Sequence, residues 1–437
     1  MQQELKNHSV VFLGAHGQGK STISGLIVSE LNHASPYALE RIDEHPHVQE
    51  KPDLRYTFLM DRLRQERNNK QTQIFSTNHV TIKQKMYTLI NIPGQHQYIN
   101  QMQIGIAYGD IVVFVLSAVN DKYQQSFQLD TTFELQFHLC IAMEKKHFIC
   151  VINDMDLVEY QQFCYQYVVD DFSKRLEKFQ INTKNIQFIP ISLKQAENIQ
   201  KKIQNMNWYK GPTLIEALDQ IPNDDEQHLI KKPLRINIYD CIRIPGIGTV
   251  ALGKLLYGQL KPNQYLRFAP IPFQSLVKAI ETHHFYLDLA IPGNLIGFNL
   301  ANLQYKEIKN GYLCSNFEQD PVQECSSFIV QLKILDDVKQ QFKVKQYYTL
   351  HFFTIRMQCC IEEISQKVST KNQNIENSKI LEAGDTALVQ FRPIKQLTVE
   401  KYIDYPDLGK IAIVDNRRMI AFGQIVEVTK KALNQQI

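Results

Sequence analysis

The chain has almost no net charge: 48 Lys and Arg stand against 45 Asp and Glu in 437 residues, leaving +3. So small an excess excludes a protein that selects polyanions or acidic membranes by bulk electrostatics, while local basic patches stay open. Cysteine is sparse. The eight residues at 140, 150, 164, 241, 314, 325, 359 and 360 form no CxxC pair, which excludes a disulfide scaffold and suggests buried free thiols in a reducing compartment. No apolar run reaches the roughly 18 residues that cross a bilayer. The opening MQQELKNHSVVFLG has neither the apolar core of a signal peptide nor the pattern of a transit peptide. The expectation is a soluble, cytoplasmic protein with no membrane partner. Histidines are scattered without HxxxH or Cys/His spacing, which argues against zinc. Trp208, the single tryptophan, reads as an anchor for the last helix of the first domain rather than as a ligand contact.

What is present is ordinary folded sequence, 44% hydrophobic and 21% charged, long enough for two to four domains. The first half carries five short apolar runs: Val10–Leu13, Tyr87–Ile90, Ile111–Leu116, Phe148–Ile152 and Ile186–Ile191. Such runs leave no polar side and read as strands buried on both faces. Segments such as Lys20–Asn32 and Phe133–Lys145 between them are long enough for crossover helices, which predicts an α/β domain with a parallel sheet. Asp219–Lys232 is polar, contains Pro222 and has no periodicity, so it reads as a linker. Beyond it come β-rich runs punctuated by Gly and Pro, at Leu234–Ile244, Gly248–Lys254, Tyr265–Phe268 and Gly297–Leu300. These predict two antiparallel β-barrels with a boundary near Cys325. The expected domains are 1–222, 228–324 and 325–437.

One motif carries chemistry by itself. Gly14-Ala15-His16-Gly17-Gln18-Gly19-Lys20-Ser21 fits GxxxxGK[ST], directly after an apolar run and before a helical stretch. Gly14, Gly17 and Gly19 let backbone N–H groups around Gln18 converge on phosphate; Lys20 brings a mobile positive charge and Ser21 a hydroxyl for Mg²⁺. The helix opening at Lys20, Ser21 and Thr22 adds its partial positive charge. A nucleotide triphosphate is the expected ligand.

Read onward from that loop, the chain resembles the translational GTPases, most closely those of the elongation factor 1-alpha type. LRQERNNKQTQI (63–74) looks like the first switch, NIPGQ (91–95) stands where that family has DAPGH, NDMD (153–156) where it has NKMD, and PIS (190–192) supplies the serine of the last guanine loop. NMNWYKGPTLIEAL (205–218) resembles the end of the G domain. KPLR (232–235), GIGTV (246–250), LKP (260–262), FAP (268–270), VKAIETHH (277–284) and GFN (297–299) resemble the second domain. AGD (383–385), DYPDLGK (404–410) and DNRR (415–418) match the third more loosely. The resemblance implies a Ras-like phosphate-loop G domain followed by two β-barrels, with GTP or GDP and Mg²⁺ as cofactors.

It also implies roles. Asn153, Asp156 and Ser192 would read guanine, the carboxylate accepting from two adjacent donors of the base. Asp154 replaces a lysine whose stem covers the purine, and adds negative charge near an anionic ligand. Ser21 and Thr72 would meet Mg²⁺, with Asn91 at the family's acidic position, which predicts weaker Mg²⁺ dependence. Gln95 replaces the histidine that orients the attacking water; glutamine does that job in Ras-type GTPases. With Lys70 replacing a switch glycine, the expectation is guanine-nucleotide binding with slow hydrolysis. Glu281, His283 and His284 match the surface that receives the 3′ end of aminoacyl-tRNA. Asn310 replaces a basic residue of that surface, with Lys309 beside it as a possible substitute, and the family's lysine-rich tail is missing. The reading placed first is a factor that delivers aminoacyl-tRNA to the ribosome and is served by a guanine-nucleotide exchange factor. The alternative is a repurposed paralogue that keeps nucleotide as a structural ligand and serves as a scaffold, with cytoskeletal filaments as the candidate partner.

Overall fold

A computed structural model describes residues 7–128, 132–202, 205–222, 227–283, 285–368, 374–375, 379–415 and 418–431. The chain divides into two compact units, Met1–Asn223 and Asp224–Ile437.

The first unit starts with β1 (Asn7–Leu13) and α1 (Lys20–Glu30), then four short helices, α2 (Pro36–Asp43), α3 (Pro46–Glu50), α4 (Leu54–Met60) and α5 (Arg64–Asn69). It continues with β2 (Ser76–Ile82), β3 (Lys85–Asn91), α6 (Ile99–Tyr108), β4 (Ile111–Ser117), α7 (Asn120–Gln125), α8 (Thr132–Ala142), β5 (His147–Asn153), α9 (Gln162–Glu177), β6 (Gln187–Pro190) and α10 (Leu214–Gln220). The sheet order is β2-β3-β1-β4-β5-β6. All neighbours are parallel except β2, which runs antiparallel to β3 at the edge. Each apolar run forms part of a strand. Every residue of β1 and β4 is buried, because helices cover both faces. The edge strand β2, STNHVTI, has polar residues at most positions and only three buried ones, so it lacks the continuous apolar signature. The parallel order brings the carboxyl ends of β1, β3, β4 and β5 to one rim, where ligands bind in open α/β sheets.

The second unit opens with α11 (Gln227–Ile230), within the stretch read as linker. Its first barrel contains β7 (Arg235–Ile244), β8 (Gly248–Tyr257), β9 (Tyr265–Ala269), β10 (Gln274–Thr282), β11 (Phe285–Tyr286), β12 (Leu295–Leu300) and β13 (Leu313–Asn316). Pairing of β10 with β9 closes the ring β10-β12-β8-β7-β13-β9, and β11 hangs on β10. The second contains β14 (Cys325–Ile334), β15 (Phe342–Lys343), β16 (Tyr347–His351), β17 (Arg356–Val368), β18 (Asn374–Ile375), β19 (Ile380–Leu381), β20 (Thr386–Pro393), β21 (Lys410–Asp415) and β22 (Arg418–Lys430). Pairing of β16 with β17 closes the ring β16-β21-β22-β14-β20-β17. Each ring encloses an aliphatic and aromatic core, and ring closure removes the exposed edges that would template aggregation. Among the described residues no helix is long and apolar enough to cross a membrane.

Candidate functional site

The loop between β1 and α1 has the shape that phosphate recognition needs. Gly17 and Gly19 sit at φ 80° and 96°, a left-handed region that costs a side-chain-bearing residue energy. A Cβ on Gly19 would lie 2.3 Å from Leu193 Cδ1, so the close approach of this loop to the segment after β6 also demands glycine. Lys20 is buried and donates to the carbonyls of Gly14 and Ala15, both at 2.9 Å, while burial pushes its pKa down to about 8. The Gly14 N–H donates to Gln136 Oε1 at 2.9 Å, and Ala15 N–H to Gln18 Oε1 at 3.0 Å. The Thr22 hydroxyl faces Thr57 of α4 at 3.1 Å.

Ser21, Thr72 and Asn91 lie far apart in sequence and meet. Ser21 Oγ is 3.0 Å from Thr72 Oγ1 and donates to Asn91 Oδ1 at 3.0 Å. A residue that spacing did not reveal joins them: Thr72 Oγ1 donates to Asp61 Oδ1 at 2.8 Å. Asp61 is fully buried, and its Oδ2, like Asn91 Nδ2, has no hydrogen-bond partner among the described residues. Two hydroxyls, an amide oxygen and a carboxyl group are hard donors of the kind Mg²⁺ takes, and the orphaned Asp61 oxygen could serve as one of them. Asp61 thus adds to this cluster a carboxyl group that the motif around Asn91 did not indicate. Buried Glu66 holds the switch segment, accepting from the N–H groups of Leu63, Gln73 and Ile74. Lys70 caps α5 at φ 51°, the left-handed conformation that suits the glycine it replaces.

Burial pushes the Asp61 pKa up to about 7, against the opposing pull of the Thr72 hydroxyl. A raised carboxylate pKa means that the folded state holds a proton that the unfolded chain has released. This group therefore costs stability progressively from about pH 4 upward, and its full cost is present above about pH 7. Asp61→Asn should raise the melting temperature of the ligand-free protein more at pH 8.5 than at pH 5.5. The difference corresponds to about 1–2 kcal/mol. Equal shifts at both pH values would show that Asp61 is not held protonated.

The carboxyl ends of β5 and β6 form the other half of the pocket. Asn153 donates through Nδ2 to the Gln18 carbonyl at 3.3 Å and accepts from Leu193 N–H at 3.3 Å, tying the phosphate loop to the segments after β5 and β6. Ser192 Oγ donates to Asp156 Oδ1 at 2.8 Å, which fixes the carboxylate. Asp154 does not simply point to solvent. Its Oδ2 accepts from Ser117 Oγ at 2.7 Å and from Lys122 Nζ at 3.1 Å, so its charge is neutralised locally. Trp208 donates its indole N–H to the Tyr160 carbonyl at 3.0 Å, securing the exit of the 153–160 loop.

Gln95 directly follows Gly94, where a Cβ would lie 2.8 Å from Lys20 Nζ and 3.0 Å from His16 Cα. Its own Oε1 accepts from Gln97 Nε2 at 3.1 Å, so the side chain is turned toward its neighbour. In the second unit Glu281 lies on β10, directly across from Tyr286 of β11, and His283 turns the hairpin at φ 48°. His284 lies outside the described residues, as do residues 416–417 and the tail after Lys431.

The family described as the elongation factor Tu GTP binding domain matches residues 6–224, and the GTP-eEF1A C-terminal domain-like family matches residues 327–426. Elongation factor 1-alpha of Entamoeba histolytica is 31% identical over 439 residues, covering 99% of this chain and 98% of that protein. The chain belongs to the translational GTPases. Elongation factor 1-alpha 1 of Euplotes crassus is likewise 31% identical, over 440 residues, with 99% and 98% coverage. Among solved structures, the Saccharomyces cerevisiae Ski7 GTPase-like domain bound to GDP and inorganic phosphate is similar at a TM-score of 0.76. It shares 15% identity, with 97% of each chain covered, and so shares the fold. Within this translational GTPase the motif residues that the sequence exposes fall on one rim of the sheet. Asp61 and Lys122, which complete the rim, belong to no readable motif, and Glu66 lies within the 63–74 stretch without any local sign that it caps three N–H groups.

Proposed function

We propose that this translational GTPase binds GTP and GDP with Mg²⁺ in the rim pocket, hydrolyses GTP slowly, and carries aminoacyl-tRNA to the ribosome. The observation that carries the nucleotide reading is the meeting of Ser21, Thr72, Asn91 and Asp61 beside the glycine loop, with Asp156 oriented by Ser192 on the base side. Gly14, Gly17, Gln18, Gly19, Lys20, Ser21 and Thr22 would hold the phosphates. Mg²⁺ neutralises phosphate charge when bound, and Ser21, Thr72, Asn91 and Asp61 would hold it. Asn153, Asp156 and Ser192 would hold the base. Gln95 would orient the attacking water, and leaving its partner Gln97 for that position is one reason to expect slow turnover.

Two features of the second unit support an RNA ligand. Glu281 and His283 stay on the β10 hairpin, at the positions where the family meets the tRNA 3′ end. An open surface cavity of about 930 Å³ on the second barrel is lined by the exposed Lys339, Lys343 and Lys345, by Tyr347 and Tyr348, and by Asp415. Ammonium groups there would meet phosphates, and the rings offer stacking faces. The domain limits 1–222, 228–324 and 325–437 belong to this proposal. An exchange factor acting on the first unit fits it, and filament binding belongs to the rival scaffold reading.

GTP-dependent protection of an aminoacyl ester on tRNA separates the two readings. The expected result is protection with GTP and loss of most of it in Glu281→Ala. Nucleotide binding without any protection would leave the scaffold as the correct account.

A further inference from the structure

Five residues close a ring around the nucleotide pocket. From the phosphate loop, Gln18 Nε2 donates to Ser126 Oγ, just after α7. Ser126 Oγ donates back to the carbonyl of Lys122, inside α7, at 3.0 Å. Lys122 Nζ reaches Asp154 Oδ2 at 3.1 Å. Asn153 Nδ2 then donates to Asp154 Oδ1 at 3.2 Å and to the Gln18 carbonyl at 3.3 Å, which returns to the start. Ser117 at the end of β4 holds the same carboxylate and accepts from Val119 N–H at 3.2 Å, so α7 is fixed where it leaves the sheet. Tyr123, fully buried, pins α7 from its other side by donating to Asp171 Oδ2 at 2.7 Å.

Burial around this ring is uneven. Gln18, Ser117, Ser126 and Asn153 are buried, whereas the Lys122 side chain is 51% exposed and that of Asp154 20%. One link in the circuit is therefore within reach of salt, solvent and the acidic side chains of a partner. Opening it loosens the 153–160 loop against α7 and, through Asn153, the hold on the Gln18 carbonyl of the phosphate loop.

We propose that α7 is a strut coupling the phosphate loop to the base loop, and that the Lys122–Asp154 pair is the latch that sets how fast nucleotide leaves. Lys122 is a positioning residue: it acts through Asp154 and Asn153. The latch is also the point at which an acidic side chain of a partner protein would accelerate exchange, by taking the ammonium from Asp154. This inference rests on the guanine-nucleotide reading above.

The test is the release rate of a fluorescent GDP analogue from the full chain, chased with excess GDP. Lys122→Ala is expected to release about fivefold faster than the unmodified protein, the order of effect of a half-exposed ion pair. Lys122→Arg, which keeps a cation facing Asp154 and leaves its bonds to Ser117 and Asn153 in place, should keep the rate near that of the unmodified chain. Raising salt should speed release from the unmodified chain but not from Lys122→Ala. Unchanged release from Lys122→Ala that still binds the analogue would overturn the latch and leave the nucleotide reading intact. Failure of the unmodified chain to bind the analogue would instead overturn the nucleotide reading. Amide hydrogen exchange of the ligand-free protein tests the strut independently. Lys122→Ala should speed exchange in residues 14–19 and 153–160 together, and exchange unchanged in both loops would refute the coupling.

Discussion

Asp156→Asn should lower affinity for GDP by about 100-fold and raise affinity for xanthosine diphosphate. The carboxylate is already aimed, because Ser192 Oγ holds Oδ1 at 2.8 Å and leaves the remaining acceptor capacity for a ligand. Guanine offers two adjacent donors, which only a pair of acceptors satisfies. The asparagine amide keeps the size but turns one acceptor into a donor facing a donor. Loss of one charge-assisted hydrogen bond and burial of an unpaired donor costs about 2–4 kcal/mol, which sets the expected factor. Xanthine carries a carbonyl where guanine has its amino group, so the substituted site pairs with it. Competition against a labelled diphosphate measures both affinities. An unchanged GDP affinity would mean that Asp156 does not read the base.

Arg235→Ala should destabilise the second unit by about 3–5 kcal/mol, the scale for removing one partner from a buried ionic network. Arg235 is wholly buried. It donates through Nε to Glu400 at 2.9 Å and through NH2 to Asp320 at 2.6 Å, and its NH1 reaches the carbonyls of Leu234 and Asp320. The Tyr405 ring lies 4.2 Å from the guanidinium, and its hydroxyl donates to Asp320. The network joins β7 of the first barrel to the segment between β20 and β21 of the second. Removing the arginine leaves the buried carboxylate of Glu400 with the longer 3.5 Å contact to Lys430 Nζ in place of its 2.9 Å bond, so Arg235→Ala with Glu400→Ala should cost less than the two single changes added together. Thermal unfolding of the three variants reads this. Strict additivity would contradict a coupled network.

The two results bear on how much of the molecule its sequence exposes. Strands β1, β3, β4 and β5 are legible because burial on both faces forces continuous Val, Ile, Leu and Phe, and the barrels because Gly and Pro punctuate short β-rich runs. The edge strand β2 and the helices α2 to α5 are not, because one-sided burial and lengths of five to eight residues leave no sustained period. Arg235 is visible in KPLR as part of a resemblance, yet nothing in that tetrapeptide announces a buried ionic joint. The same holds at the site. The glycine loop, Asn153 and Asp156 stand in motifs whose spacing carries chemistry. Asp61 and Lys122 act across 11 and 32 residues to Thr72 and Asp154, and pairings of that kind leave no local pattern. Asp154 shows the consequence: alone it reads as misplaced negative charge, and with Lys122 beside it the charge is compensated.

The central claim is that the rim of the first unit closes on a guanine nucleotide. Calorimetric titration of the unmodified chain, stripped of nucleotide and supplied with Mg²⁺, tests it most directly. The account predicts saturable heat with GDP and with GTP at one site per chain, and none with ADP or ATP at the same concentrations. Absence of heat with both guanine nucleotides, or equal binding of the adenine nucleotides, would contradict it.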